Sequence, residues 1–383
     1  MPPVGVWGVP KPNMVSCLPT EGREALPLIA RAPMRISFGG GGTDLEAYYA
    51  KYGGLVVSAA IDKYFYTVIS ESGSQSLQLI SANYGTFHSQ ERVQDLVWDG
   101  NLALPKAAVD HFGLPAGHDV FMASEIPPGT GLGSSSAAAV CLSLALAAKR
   151  GMQLSRQALA ELASRLEIER LGMPIGKQDQ YASAFGGINV ISFSEGQTTV
   201  EPLNLPYERV KELEQGLMLF FMGSSRSSST ILRQQRESTT RGDRVVLDSL
   251  HAIKEMAVQM RAELERGNLS AMGALLDLAW QQKKRLASTV TNESIDRWYQ
   301  LAKETGALGG KVTGAGGGGF LLLYCPVERQ GELASRLRAE GLYQIRFQFD
   351  FLGAHILLNS EEMAAGSDQW ILDRTRGEDL PTR

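Results

Sequence analysis

Polar and apolar positions alternate from Arg31 to Phe38 and stop at four glycines, Gly39 to Gly42. That pattern predicts a strand running into a turn. Leu55 to Ser70 is rich in β-branched and aromatic residues, enough for one or two strands, and His118 to Ala123 predicts another short one. Pro127, Pro128 and Gly129 then impose a turn, and the apolar run from Ala137 to Lys149 predicts a buried helix. A second helix is predicted from Ser155 to Leu171, with Gly172 as its stop and Pro174 just beyond. Ile188 to Phe193 predicts a strand, and Val210 to Gly216 reads as a seam between two halves. Beyond it come a strand at Leu217 to Met222 and three or four helices between Ser227 and Thr305. A strand, a glycine-rich turn and a strand follow from Leu308 to Tyr324, then a helix from Glu328 to Ala339 and an alternating strand from Gln344 to Phe351. Residues 1 to about 26 hold several prolines and no periodicity, and the last 20 or so residues are polar; both ends are expected to be peripheral.

The chain has 383 residues, more than one hydrophobic core usually supports, so two domains are expected. The net charge of −4 leaves no electrostatic footprint for nucleic acid or an anionic membrane. An anionic substrate must therefore be met by a local site. The three cysteines, Cys17, Cys141 and Cys325, are odd in number and far apart, which suggests neither a disulfide framework nor a zinc cluster and fits a cytoplasmic setting. The N-terminus does not read as a secretory signal, and the apolar run that ends at Lys149 is too short for a membrane span.

Three glycine-rich segments carry the candidate chemistry. The central one is Pro127-Pro128-Gly129-Thr130-Gly131-Leu132-Gly133-Ser134-Ser135-Ser136, placed directly before a predicted helix. Glycines allow close backbone approach and positive φ, and a helix start offers unpaired N–H groups and partial positive charge. Together they make an anion cradle suited to a triphosphate, although a plain capped turn would look the same. It is not a P-loop, because no lysine follows Gly133. Phosphate neutralisation must come from Mg²⁺ and a basic residue elsewhere. The third segment runs from Lys311 to Phe320 and formally satisfies G-x-G-x-x-G at Gly314, Gly316 and Gly319. A strand follows it where a dinucleotide site requires a helix, so a tight turn against backbone or phosphate is the better reading. The first segment, Arg31 to Asp44, says by itself only strand, turn and polar end. The five histidines show no metal spacing, and the serine-rich strings contain no G-x-S-x-G elbow.

Taken in this order, the three segments resemble the signature motifs of the GHMP kinases, a superfamily that phosphorylates galactose, homoserine, mevalonate and phosphomevalonate. The resemblance spans about Arg31 to Phe320. Within the superfamily the chain is most similar to the D-glycero-D-manno-heptose 7-phosphate kinases. That likeness rests on R-I-S-F-G-G-G-G-T-D-L at Arg35 to Leu45, I-D-K-Y at Ile61 to Tyr64, P-I-G-K-Q-D-Q-Y at Pro174 to Tyr181 and G-S-S-R-S-S-S at Gly223 to Ser229. Gly39 stands where the family usually has alanine, and Ala354-His355 where it often has Ser-Arg. The resemblance implies an α+β protein: a terminal extension (1–26), an N-terminal domain like ribosomal protein S5 domain 2 (27–212) and a ferredoxin-like C-terminal domain (213–383). ATP and a sugar or sugar phosphate would meet between them, with a homodimer admitted and neither nucleic acid nor membrane as partner.

Carried over residue by residue, the resemblance makes Asp179 the catalytic aspartate that accepts or orients the hydroxyl proton, and Arg35 its charge-stabilising partner. Without it, Asp179 reads equally as a helix N-cap. Glu167 and Ser135 become the Mg²⁺ ligands; Glu169, some 200° around the helix, is the competitor to Glu167. Pro128, Gly129, Gly131, Leu132, Gly133, Ser134, Ser135 and Ser136 would bind ATP. Gly41, Gly42, Thr43, Asp44, Lys177, Gln178, Arg226, Gly316 and Gly317 would bind the acceptor, Asp44 through sugar hydroxyls. A phosphorylated sugar needs added cations, for which Lys177, Arg226 and Lys63 are candidates. The competing expectations are a kinase of an unphosphorylated sugar or mevalonate-type alcohol, and a catalytically silent regulatory relative.

Overall fold

The computed structural model describes residues 27–223 and 228–359. The first sheet is built from β1 (Leu28–Gly39), β2 (Gly54–Glu71), β3 (Leu77–Ser81), β4 (Thr86–Gln90), β5 (His118–Ser124), β6 (Ile188–Ser194) and β7 (Gln197–Pro202). Its helices are α1 (Glu46–Tyr52), α2 (Ala103–Phe112), α3 (Ser134–Lys149), α4 (Arg156–Arg165) and α5 (Gln178–Phe185). The second half contributes α6 (Tyr207–Gly216), β8 (Leu217–Phe221), α7 (Ser228–Thr240), α8 (Arg244–Arg266), α9 (Leu269–Lys283), α10 (Glu293–Glu304), β9 (Gly309–Val312), β10 (Phe320–Tyr324), α11 (Val327–Ala339), β11 (Tyr343–Ile345) and β12 (His355–Leu358).

The second sheet is antiparallel in the order β11-β8-β10-β9. Numbered along its own chain this is 4-1-3-2 with helices between the first and second and the third and fourth strands, the ferredoxin-like arrangement. The C-terminal chain does not stay there. β12 returns to the first sheet and pairs antiparallel with β1. Val210 to Gly216, expected as a seam between two halves, is the C-terminal part of α6, with Val210 and Leu213 buried on one face. One expectation of detail is corrected. The alternation from Gln344 to Phe351 yields only the three-residue β11, after which the chain touches β2 through a lone bridge, Ile61 to Phe349. The terminal extension and the polar tail lie outside the described residues.

β1 decides where the site can be. Its register on β2 jumps between Pro33 and Met34, from Tyr64 to Ile61. A bulge of this kind re-aims the side chains that follow. Before it, Ala30 and Ala32 pack into a core with α3, α4 and β5. After it, Met34, Ile36 and Phe38 enter a second core with β8, α8 and α9. Arg35 and Ser37, of opposite parity, are thereby turned to the cleft beside the glycine segments. A third core, around Trp280 and Leu323, lies beyond the second sheet. Among the described residues no helix is long and apolar enough to cross a membrane.

Gly39 lies against α8: a Cβ there would stand 2.6 Å from Met260 Sδ and 3.2 Å from Ala257 Cα, so close helix–strand packing accounts for glycine at that position. Gly40 is more tightly constrained, with φ +83° and the site of a Cβ only 1.8 Å from the Leu55 carbonyl oxygen. We expect Gly40→Ala to destabilise the protein by about 3 kcal/mol, and Gly73→Ala, which meets no atom within 4 Å, to stay within about 0.5 kcal/mol. Urea midpoints of the two variants check this.

Candidate active site

β1, the glycine segments and α5 converge on one cleft. Arg35 is the joint. Its Nε donates to Asp179 Oδ1 at 2.7 Å, its Nη2 to Oδ2 at 2.6 Å and its Nη1 to the Gly131 carbonyl at 2.7 Å. The bidentate fork holds the carboxylate in one plane. Asp179 lies in the first turn of α5, whose N-cap is Lys177, so it does not cap the helix.

The central segment leads into α3 through Gly133, whose φ is +78° and which is the N-cap with no side-chain cap hydrogen bond. The turn is thus not a plain capped one, and among the described residues no side chain caps the first-turn N–H groups, which suits them to an anion. Gly129, Gly131, Gly133 and Ser134 to Ser136 line the cleft. Leu132 buries its side chain in the second core and gives its carbonyl to the Arg35 N–H, so it anchors the loop. Pro128 is not among the cleft residues.

Glu167 follows α4 in a π-helical turn, Leu166–Arg170. The wider turn drives Glu167 into the interior and leaves Glu169 exposed. Ser135 Oγ donates to Glu167 Oε1 at 2.5 Å and Gln180 Nε2 to Oε2 at 2.6 Å. Burial pushes the Glu167 carboxyl above its ordinary range. Among the described residues no basic group pairs with it, so an uncompensated buried carboxylate faces Ser135.

On the opposite wall, Asp44 accepts from the Gly42 N–H at 2.9 Å and the Gln178 N–H at 3.3 Å. Burial, and then the charge of Asp179, raises its proton affinity. Gly41, Gly42, Asp44, Gln178 and Gly316 all line the cleft. Other expected acceptor residues do not. Thr43 staples its loop, donating to Gly40 O at 2.7 Å and accepting from the Leu55 N–H at 3.1 Å. Gly317 donates to Val290 O and faces a separate hollow beside Trp298. Lys177 is turned away to Glu161, 3.9 Å off, and to the ring of Tyr49. Lys63 bonds its neighbour Asp62. Arg226 lies outside the described residues.

The cleft also holds groups that sequence reasoning passed over. Lys283 and Lys311 are buried within it. Lys283 donates to the carbonyls of Val312, at 3.1 Å, and Gly314. Lys311 makes one long contact, 3.4 Å to Phe38 O. Burial, with the like charge of Arg35, lowers the Lys311 ammonium to about 7; burial and the charges of Lys311 and Arg35 lower Lys283 strongly. Ser37 Oγ and Gln235 Nε2 line the same cleft, buried and, among the described residues, without partners. A signal existed for both lysines. Lys283 falls on the apolar stripe of Met272, Leu276 and Trp280, and Lys311 sits inside a wholly buried strand.

Models of the GHMP kinases N-terminal and C-terminal domains match residues 102–187 and 260–342. The D-glycero-alpha-D-manno-heptose 7-phosphate kinase of Campylobacter jejuni is 31% identical over 325 residues, covering 83% of this chain and 95% of that one. The crystal structure of a D-glycero-D-manno-heptose 1-phosphate kinase from Bacteroides thetaiotaomicron superposes with TM-score 0.73 at 28% identity, over 87% of this chain and 99% of the other. A putative sugar kinase from Campylobacter jejuni gives TM-score 0.72 at 29% identity, over 88% and 99%. With its glycine segments, the Arg35–Asp179 fork and the ferredoxin-like second sheet in place, the chain belongs to the GHMP kinases.

Proposed function

We propose that this kinase transfers the γ-phosphoryl group of ATP to the anomeric hydroxyl of D-glycero-D-manno-heptose 7-phosphate, giving the 1,7-bisphosphate and ADP. The observation that carries the reading is the Arg35–Asp179 fork, which faces one cleft with the uncapped start of α3 on one side and Asp44 on the other. The likeness to the Campylobacter heptose 7-phosphate kinase supports the acceptor. The triphosphate lies along Gly129 to Ser136, with the free N–H groups of α3 as donors. Asp44 receives sugar hydroxyls. Asp179 takes or directs the proton of the attacking hydroxyl, and Arg35 keeps that carboxylate aimed. The attacking oxygen forms the new bond to phosphorus as the bond to the ADP oxygen breaks.

Ser135 and Glu167 suit Mg²⁺. A hydroxyl and one carboxylate are the sparse oxygen set that this ion completes with water and phosphate, and the unpaired buried charge of Glu167 calls for a cation. When bound, the ion would draw negative charge off the phosphates. A cytoplasmic setting, where ATP is at hand, belongs to the same reading.

ADP release measured with Mg-ATP across heptose 7-phosphate, mannose, galactose, fucose, N-acetylhexosamines and mevalonate tests the acceptor. Turnover confined to the 7-phosphate is expected; turnover on a plain sugar alone would overturn the acceptor, and ATP binding with no turnover on any would favour a regulatory protein. We expect Asp179→Asn to lower kcat about 10²- to 10⁴-fold while the Kd for ATP, read by calorimetry, moves less than about threefold. Near-normal turnover would remove Asp179 from the base role. Arg35→Lys keeps the charge but cannot make the two-point fork, and a fall in kcat of about 10²-fold is expected, with little change in the melting temperature. Full activity in that variant would show that charge alone suffices.

A further inference from the structure

The cations of the cleft are unevenly used. Arg35 spends its donors on Asp179 and Gly131. Lys283 and Lys311 have only backbone carbonyls, and among the described residues neither has a carboxylate within ion-pairing distance. In the ammonium form, which an arriving anion favours, each lysine has three donors, so at least one on Lys283 and two on Lys311 are unspent. Ser37 Oγ and Gln235 Nε2 add a hydroxyl and an amide donor, both buried and without a partner among the described residues. Two buried cations and two further free donors on the same cleft call for a ligand with several acceptor oxygens and negative charge, because a buried charge is tolerated only when it is met.

Lys311, Ser37 and Gln235 lie toward the Asp44 wall, while Lys283 also donates to the Gly314 carbonyl of the third glycine segment. Lys311 reaches Phe38 O at the end of β1, where the loop carrying Asp44 begins. A Cβ on Gly42 would stand 2.6 Å from Gln235 Nε2, and one on Gly41 3.6 Å from Ser37 Oγ. The opposite charge felt by both lysines is that of Asp44, not Glu167. The ATP side already has the start of α3, Ser135 and Glu167. We propose that Lys283 and Lys311, assisted by Gln235 and Ser37, form the subsite for the phosphate group that the acceptor carries on arrival, and so select a sugar phosphate over a plain sugar. This rests on the sugar-phosphate reading above and replaces the expectation that Lys177 does this work. A phosphate monoester brings nearly two negative charges and three acceptor oxygens, which match the unspent donors.

The test is kcat/KM for heptose 7-phosphate and for the same heptose without phosphate, in the natural protein and in Lys283→Met and Lys311→Met. Each substitution is expected to lower kcat/KM on the 7-phosphate by about 10- to 100-fold, mainly through KM. The loss on the plain heptose should be at least tenfold smaller, and KM for ATP should hold. Lys283→Arg and Lys311→Arg should recover part of the preference. If a methionine variant fails to fold, Gln235→Leu and Ser37→Ala read the same ratio, with an expected loss of a few-fold confined to the 7-phosphate. Equal losses on both sugars would overturn the proposal and put the lysines at the transferred group; no loss would overturn it as well. A natural protein that prefers some other sugar phosphate, with the same lysine dependence, would keep the subsite and discard the heptose. A natural protein that prefers a plain sugar would discard both readings.

Discussion

The fork between Arg35 and Asp179 is the contact on which the site depends. It ties β1 to α5 across 144 residues of chain, and the third donor of the same guanidinium holds Gly131 across 96. Three segments that share no local structure are thereby given one geometry. A partly buried ion pair is a poor source of net stability, but it is strongly directional, and removing one partner leaves the other charge unmatched. The fork also dictates its neighbours. A Cβ on Gly133 would stand 3.2 Å from Asp179 Oδ2 and 3.4 Å from Arg35 Cγ, while φ at that residue is +78°. Glycine lets the central segment run this close to the pair at residue 133, so that position follows from the placing of one arginine.

The central and third glycine segments interlock by backbone. A Cβ on Gly131 would come 2.7 Å from Thr313 O, one on Gly314 2.5 Å from Gly131 Cα, and one on Gly319 2.1 Å from Thr130 O. This is why the third segment reads as G-x-G-x-x-G without binding a dinucleotide: its glycines are needed for contact with another loop. The first sheet carries the central segment and the second sheet, through β9 and β10, carries the third. Their contact makes the cleft a joint between the sheets, and the return of β12 to β1 adds a second tie.

Much of this was legible in the residues, and what was not has a common cause. Helices α3, α4 and α8 to α11 follow from periodicity and stop signals, because these are local. The five-residue β3 and β4 are too short to stand on local pattern alone and gain their strand form from pairing, β3 with β5 and β4 with β3. Arg35, Ser135 and Asp179 were singled out by motif, and all three are in the cleft. The choice between Glu167 and Glu169 could not be made from an ideal helical period; the π-helical turn at Leu166–Arg170 makes it. Lys177 looked as well placed as any cation, standing two residues before Asp179, yet its side chain leaves for Glu161. Lys283 falls on the apolar stripe of α9, a local pattern that gives its burial but not what its side chain faces. Which way a side chain points across a cleft is set by the far wall, and no local pattern encodes the far wall.

The charges left in the cleft then acquire a common meaning. Glu167, Asp44, Lys283 and Lys311 are each buried, and burial moves each toward its neutral form. A chain selected for stability alone would fill these positions with apolar side chains, as it does a few ångströms away at Met34, Ile36 and Phe38. Keeping them leaves ionisable groups in surroundings that favour their neutral forms, and on the reading proposed above ligands would complete the site: a cation for Glu167, hydroxyl hydrogens for Asp44, phosphate oxygens for the lysines. Occupation of the cleft should therefore stabilise the whole molecule as well as satisfy the site, since whatever binds only the folded chain adds its binding free energy to folding.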